Sequence, residues 1–354
     1  MKSDRVAITK WLYGEMARKA DSSQYRSVIA RLKLRHLRLI EAIVDAKGIS
    51  AAAASLNISQ PAVSKGLREA EGILGVQLFE RGPSGLTLTH YGRAVLTHGQ
   101  VIQSEIRHVT DEIEALSSGV TGTVVIGALL VSQPSLVPKA LDLLLRRDVA
   151  AVARVVDGRQ EELMAALRAG DLDILVGRLP PVEQSERLVQ EVLLYEPIVV
   201  VSGSRNPLAA KSSVGYHELA QADWIFPSPE STVYNQIMQL FTQHGLSRPR
   251  SYVQSVSFLM TRTLLVENGM LAALPRAVVE RDLESGLLRV LPVRFPHEPL
   301  AVGITRRSDR KLSSIAVVAI QCLREAAKSI ERGNGALAPP VGRPKRRRAV
   351  ADAE

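Results

Sequence analysis

Apolar positions follow two regimes along the chain. Between residues 34 and 117 they recur at helical spacing, and from residue 123 onward β-branched runs alternate with helical patterns. Within residues 49–74 the helical pattern breaks once. Ser50 stands where it would cap a helix over 51–56, Asn57 suits the left-handed backbone of a tight turn, and Ile58 would return to the core. Ser59 then reads as the N-cap of a second helix, with Pro61 in its first turn, where a missing N–H matters little. Val63, Leu67, Ala70 and Leu74 form the buried stripe of that helix and leave Gln60, Ser64 and Lys65 facing outward. Two short helices joined by a turn, the second one capped, make a helix-turn-helix. After Gly82-Pro83-Ser84-Gly85, residues 86–89 read as a short strand, a wing beside the second helix.

Residues 93–117 hold no proline and one long helical pattern. Val95, Ile102, Val109 and Leu116 recur every seven residues, with Gly99, Ile106 and Ile113 on the alternate seam. That spacing packs one helix against a partner helix, and intermolecular pairing is the reading it favours over a helix lying on its own domain. Beyond it, strands are expected at 124–126, 152–156 and 172–177, with helices at 136–145 and 160–169 between them. Such alternation implies a parallel sheet with right-handed crossovers. A second set of strands begins at 198–201 and continues at 224–226, 252–256 and 271–274, and residues 300–305 could pair back. Two α/β halves in tandem imply a ligand cleft outside the carboxyl ends of their strands.

Composition narrows the chemistry. The chain has 354 residues, 46% hydrophobic and 4% aromatic, so its cores are aliphatic and two or three domains are expected. Cys322 is the one cysteine, which excludes an intramolecular disulfide framework and a Cys-clustered zinc site. No uncharged apolar run reaches the roughly 18 residues of a membrane span, and the first 33 residues mix charges throughout instead of forming an apolar signal segment. A soluble, cytoplasmic protein without membrane contact is the expectation. The net charge of +9 is uneven: +5 in residues 1–33, +1 in 34–92, −2 in 93–122, +2 in 123–332 and +3 in 333–354. The folded body is nearly neutral, so charge by itself does not identify a DNA-binding domain.

The outward-facing residue types do suit DNA. A glutamine amide can pair with adenine through two hydrogen bonds, a serine hydroxyl can contact a base or a phosphate, and a helix N-terminus favours phosphate. Arg81 and Ser84 on the wing could hold phosphates. An enzyme is the first rival. Against it, the seven histidines show no H-E-x-x-H, and there is no G-x-S-x-G elbow, G-x-x-x-x-G-K or G-x-G-x-x-G. No catalytic residue and no metal site is assigned, and no cofactor is expected. A two-lobed small-molecule transport protein is the second rival; the helix-turn-helix argues against it.

Residues 34–92 resemble the N-terminal domain of LysR-type transcriptional regulators. The resemblance rests on Leu34, Leu37, Ser50, Ala52-Ala53, Leu56, Ser59-Gln60-Pro61-Ala62-Val63-Ser64, Leu67, Glu71, Leu74-Gly75, Leu78-Phe79-Glu80-Arg81, Leu88-Thr89 and Gly92, in ungapped spacing. Leu167-Arg168-Ala169-Gly170-Asp171-Leu172-Asp173 and Val266-Glu267-Asn268-Gly269 are similar to family signatures further on, so the likeness covers about residues 33–330. Ile40 and Ala70 depart from the family's usual Phe and Leu by apolar exchanges. The chain looks closest to the branch regulating sugar uptake or protocatechuate-pathway genes.

This resemblance implies an α/β protein with an N-terminal all-α winged helix-turn-helix, a long linker helix and a two-subdomain effector domain like periplasmic binding proteins. The implied boundaries are a basic arm at 1–33, a DNA-binding domain at 34–92, a linker and dimerisation helix with hinge at 93–122, a two-lobed effector domain at 123–332 and a disordered basic tail at 333–354. Gln60, Pro61 and Ser64 would enter the major groove, while Ser50, Ser59, Lys65, Arg81 and Ser84 would position the protein on phosphates. Val95, Ile102, Ile106, Val109, Ile113 and Leu116 would pair two copies, in a dimer or tetramer. A small inducer, a carboxylate or a sugar-derived acid, would meet Leu130, Ser132, Gln133, Arg159, Ser202, Phe226, Ser257 and Phe258. The implied partners are promoter DNA, this inducer, the protein itself and RNA polymerase.

Overall fold

The computed structural model describes residues 28, 30–82, 85–118, 122–147, 150–181, 187–249, 252–293 and 299–333. The basic arm, apart from its last few residues, lies outside the described residues. So do Ser84 and the tail after Gly333. The described residues form two compact units that divide between Glu114 and Ala115, with 168–171 grouped with the first.

The first unit contains α1 (Leu34–Asp45), α2 (Ile49–Ser55), α3 (Gln60–Leu74), β1 (Phe79–Gly82), β2 (Gly85–Leu88) and α4 (His90–Ser118), the last running past Glu114. Ile40, Ile43, Ala52, Val63, Ala70 and Leu78 make a core in which each residue is at most 2% exposed. Asn57 adopts a left-handed φ of 53°, as the turn requires. Ser59 caps α3, its side chain accepting the Ala62 N–H, and Gly75 ends α3 at φ 72°.

Three local expectations fail here. α2 begins at Ile49 with Gly48 at its N-cap, so Ser50 lies inside the first turn, exposed, and caps nothing. The two residues added at its start include Ile49, which packs against the core. Ile58 is 44% exposed, because the turn from Asn57 to Ser59 stays on the surface throughout. Leu74 is half-buried at the end of α3.

One residue, Leu78, ties the wing to both neighbouring helices. Leu78 donates its N–H to Glu71 Oε1 at 2.8 Å, and its carbonyl accepts the Thr89 N–H at 2.9 Å. The Thr89 hydroxyl donates to Gln77 O at 2.8 Å and accepts the Gly92 N–H at 3.0 Å. A Cβ at position 92 would come within 2.1 Å of Leu78 O, so glycine is required where α4 crosses this residue. These contacts give a physical reason for Glu71, Thr89 and Gly92 in the sequence motif. β1 and β2 pair antiparallel from Phe79↔Leu88 to Gly82↔Gly85.

The second unit carries two five-stranded sheets. The first has strand order β4-β3-β5-β12-β6, built from β3 (Gly122–Ala128), β4 (Ala151–Asp157), β5 (Ile174–Arg178), β6 (Leu188–Glu196) and β12 (Leu300–Arg307). The second has order β11-β7-β10-β8-β9, from β7 (Ile198–Gly203), β8 (Trp224–Phe226), β9 (Tyr252–Gln254), β10 (Leu271–Pro275) and β11 (Leu288–Val290). Both sheets are mixed, which corrects the expectation of a parallel sheet. β3, β4 and β5 run parallel, but β12 returns antiparallel to both β5 and β6. β8, β9 and β10 run parallel, whereas β7 is antiparallel to β10 and β11. The chain crosses between sheets at β6–β7 and again between β11 and β12, and that double crossing reverses strand direction.

Helices cover both faces of each sheet. On the first sheet, α5 (Leu136–Leu145) and α11 (Ser314–Gly333) share one core with β3, β5 and β12. The opposite face packs on α6 (Gln160–Ala169). On the second sheet, α7 (Tyr216–Gln221) and α8 (Thr232–Gln243) cover one face, and α9 (Phe258–Asn268) and α10 (Arg276–Glu284) cover the other. Cys322 is fully buried in the α5–α11 core, as its apolar helix pattern implies.

Candidate DNA interface and effector site

The outer surface of α3 is polar and accessible. Gln60, Pro61, Lys65 and Arg68 are exposed and Ser64 is half-buried, while Val63 and Leu67 on the inner side anchor the helix. Pro61 occupies the first turn, where helical N–H groups have no intrahelical acceptor, so removal of its own N–H leaves no unmet bond. Arg68, one turn beyond Ser64 on the accessible face, was not singled out from the sequence; its spacing from Lys65 is the signal that could have found it. Behind the helix, His36 is 2% exposed and lies 3.7 Å from Glu69. Burial and the Arg35 charge hold its imidazole below the usual histidine range against the pull of Glu69. Arg81 stands on β1, but its side chain lies outside the described residues, as does all of Ser84.

The heptad stripe of α4 divides in two. Val95 packs against the core of the first unit and Gly99 contacts Leu37, with a Cβ there 3.4 Å from Leu37 Cδ2. Ile102, Ile106, Val109 and Ile113 remain 42–59% exposed, four large apolar side chains on one long helix. The expectation that Val95 belongs to an intermolecular seam is thus corrected: it is spent on its own domain. The Leu116 side chain lies outside the described residues.

At the carboxyl ends of β3, β4 and β5 three polar groups gather. Arg178, closing β5, directs Nε and Nη2 to Gln160 Oε1 at 3.3 and 2.8 Å. Burial holds this guanidinium below its ordinary range. It is a cation whose nearest hydrogen-bond acceptor is neutral, and the sequence pattern does not single it out. Arg159 is paired with Glu162, and that hydrogen bond raises its affinity for the proton. Glu230, in the loop after β8, is held low chiefly by a hydrogen bond from Ser228, with a weaker contribution from the Arg159 charge.

The other expected effector contacts are scattered. Leu130 and Gln133 lie half-buried in the loop after β3, Gln133 donating to Ala128 O at 2.9 Å. Ser132 is fully buried and its hydroxyl is shared between Leu129 O and Val176 O, at 2.8 and 2.9 Å, so it braces the loop. Phe226 is core, stacked with Trp224 at 5.5 Å. Ser257 caps α9 by accepting the Met260 N–H, and Phe258 follows it, half-buried. Ser202 is misplaced by the parallel-sheet expectation. Because β7 runs antiparallel to β10, Ser202 falls at the end of the sheet away from the cleft, where it is buried and donates to Gly269 O at 3.0 Å.

Residues 34–93 match the family "Bacterial regulatory helix-turn-helix protein, lysR family", and residues 117–328 match "LysR substrate binding domain". The chain belongs to the LysR family of transcriptional regulators. It is 29% identical to the regulator PcaQ of Agrobacterium fabrum over 303 residues, 86% of this chain and 97% of that one. It is 32% identical to the regulator GbpR of Azospirillum brasilense over 301 residues, 84% of this chain and 87% of that one. Among solved structures, the LysR family regulator CbnR superposes with a TM-score of 0.58 at 17% identity, over 84% of this chain and 99% of CbnR. At that identity the likeness shows the fold. This is a DNA-binding transcriptional regulator with an effector-binding domain, and not an enzyme. Among the described residues no helix is long and apolar enough to cross a membrane.

Proposed function

We propose that this regulator reads promoter DNA through α3, with Gln60, Pro61 and Ser64 in the major groove and Ser59, Lys65 and Arg68 on flanking phosphates. The observation that carries the reading is the accessible polar face of α3 on a helix fixed from behind by Val63, Leu67 and the Glu71–Leu78 hydrogen bond. Arg81 and Ser84 would add wing contacts, and Ser50, exposed near the start of α2, a further phosphate contact. The protein would act as a homo-oligomer through Ile102, Ile106, Val109 and Ile113, in the cytoplasm, and influence RNA polymerase from the promoter. The inducer we assign is a small carboxylate or sugar-derived acid between the lobes, with Arg159 and Arg178 as its counter-charges and Leu130, Gln133 and Ser257 around it.

Gln60→Ala tests the DNA reading. The variant is expected to lose about 1–3 kcal/mol of discrimination between operator and random duplex, the worth of one two-bond base contact. Titration of both DNAs at one fixed salt concentration measures it. An equal loss on both DNAs would demote Gln60 to a positioning role.

A further inference from the structure

A cavity of about 870 Å³ opens in the second unit beside the β6–β7 crossing. It is not the cleft assigned to the inducer. Of the residues named for the inducer it contains Phe258, and neither Arg159 nor Arg178 lines it. Its walls come from α5 and α11 on the first sheet and α9 and α10 on the second, whereas Arg178 and Gln160 belong to the α6 side of the first sheet. Its volume lies within the roughly 300–1,000 Å³ of small-molecule sites.

The depth of this cavity holds one carboxyl without a cationic partner in hydrogen-bond range. Glu196, the last residue of β6, is 6% exposed, and its Oε1 accepts the Ala277 N–H at 2.6 Å. The charges that face it are already matched. On α9, Arg262 makes two hydrogen bonds to Asp282 of α10, at 2.8 and 2.7 Å. On α10, Arg276 pairs with Glu280 at 3.0 Å. At the rim, Lys139 of α5 and Arg281 of α10 stand exposed with Glu284 and Glu331 of α10 and α11, two of each sign. Tyr195 lines the cavity beside Glu196 on β6. The lining therefore balances except for the Glu196 carboxyl. Around it, Pro134, Pro138, Leu194, Pro197 and the Phe258 ring supply an apolar wall.

We propose that this cavity binds a small organic cation, a protonated amine on an apolar body, with the Glu196 carboxylate as its counter-ion and the Phe258 ring beside its charge. A buried carboxylate gains most from a partner that brings the missing positive charge, and an aromatic face adds attraction for the same cation. An anion would meet an uncompensated carboxylate, and a neutral ligand would leave it unpaired. Burial pushes Glu196 up to about 7, so amine binding expels its proton near neutrality. The site stands apart from the inducer reading, since it shares none of the cations on which that reading rests.

Three ligands of one shape and three charges test this: benzylamine, benzyl alcohol and benzoate, titrated calorimetrically into the full chain. Benzylamine is expected to bind saturably at pH 8, with the other two at least about tenfold weaker. Its affinity should fall about tenfold at pH 6, where Glu196 holds its proton and the amine keeps its charge. Glu196→Gln, which retains an acceptor for the Ala277 N–H, should cost about tenfold or more in amine affinity. Pro138→Trp, which fills the mouth and leaves Glu196 in place, should weaken binding as well. Arg178→Gln should leave amine binding unchanged, so failure here and failure of the inducer reading are separable. Benzoate binding as tightly as benzylamine, unchanged amine affinity in Glu196→Gln, or no saturable amine binding at pH 8 would each overturn the proposal.

Discussion

Glu196→Gln also makes a prediction about stability that requires no ligand. The carboxyl is carried from its ordinary 4.5 to about 7 mainly by burial, against the Ala277 N–H, which favours the charged form; Glu280 raises it further and Arg276 lowers it. Between those two values the folded protein keeps a proton that the unfolded chain has released. Stability therefore falls as pH rises through this window, and the charged carboxylate costs the fold about 3 kcal/mol by pH 8. Glutamine has nearly the same shape and no proton to lose. The variant should thus gain up to about 3 kcal/mol at pH 8 and less than about 1 kcal/mol at pH 5. Urea unfolding followed by the fluorescence of Trp224, fully buried in the second unit, measures this; Trp11, the other tryptophan, is replaced by phenylalanine in both proteins. The opposite sign at pH 8, or an equal effect at both pH values, would refute the account of Glu196 as a carboxyl strained by burial.

Other predictions address the remaining parts. Replacing Ile106 and Ile113 by glutamate should halve the mass in solution or reduce it further, measured by light scattering; an unchanged mass would exclude α4 as the pairing surface. Glu71→Ala should destabilise the first unit by about 1–3 kcal/mol by leaving the buried Leu78 N–H without an acceptor, and Glu71→Gln should recover most of it, as read by thermal melting. Arg178→Gln should abolish the response of promoter binding to an anionic inducer while leaving inducer-free DNA affinity intact, and a retained response would remove Arg178 from the site.

What the sequence disclosed followed interaction range. The helix-turn-helix was readable because its signals are local: Asn57 for the turn, Ser59 and Pro61 for the helix start, and a stripe from Val63 to Ala70. β6 went unread because its exposed Val189 and Val192 interrupt any clean alternation, and its place is fixed by β12, more than a hundred residues later. Ser202 was misassigned for the same reason, since strand direction depends on a partner far along the chain. Arg178 and Glu196 carry no local signature at all. An arginine ending a strand and a glutamate before a proline become notable when folding buries them beside groups that leave their charges unmatched.

The charge distribution bears on how such a protein would hold DNA. Residues 34–92 carry a net charge of +1, so the long-range attraction of one helix-turn-helix domain to a duplex is weak, and so is its nonspecific grip. Tight binding from weak heads requires several of them on one duplex, since a second head joined to the first binds at a high effective concentration. On the proposed reading, α4 supplies that coupling. Val95 and Gly99 fasten its start to the domain, so the four exposed apolar residues beyond them are carried at a fixed angle to α3. A helix free at both ends could pair two copies without setting the spacing of their recognition helices. One fastened at its start converts pairing into geometry, and half-site spacing then becomes a property of the rigid crossing at Leu78 and Gly92.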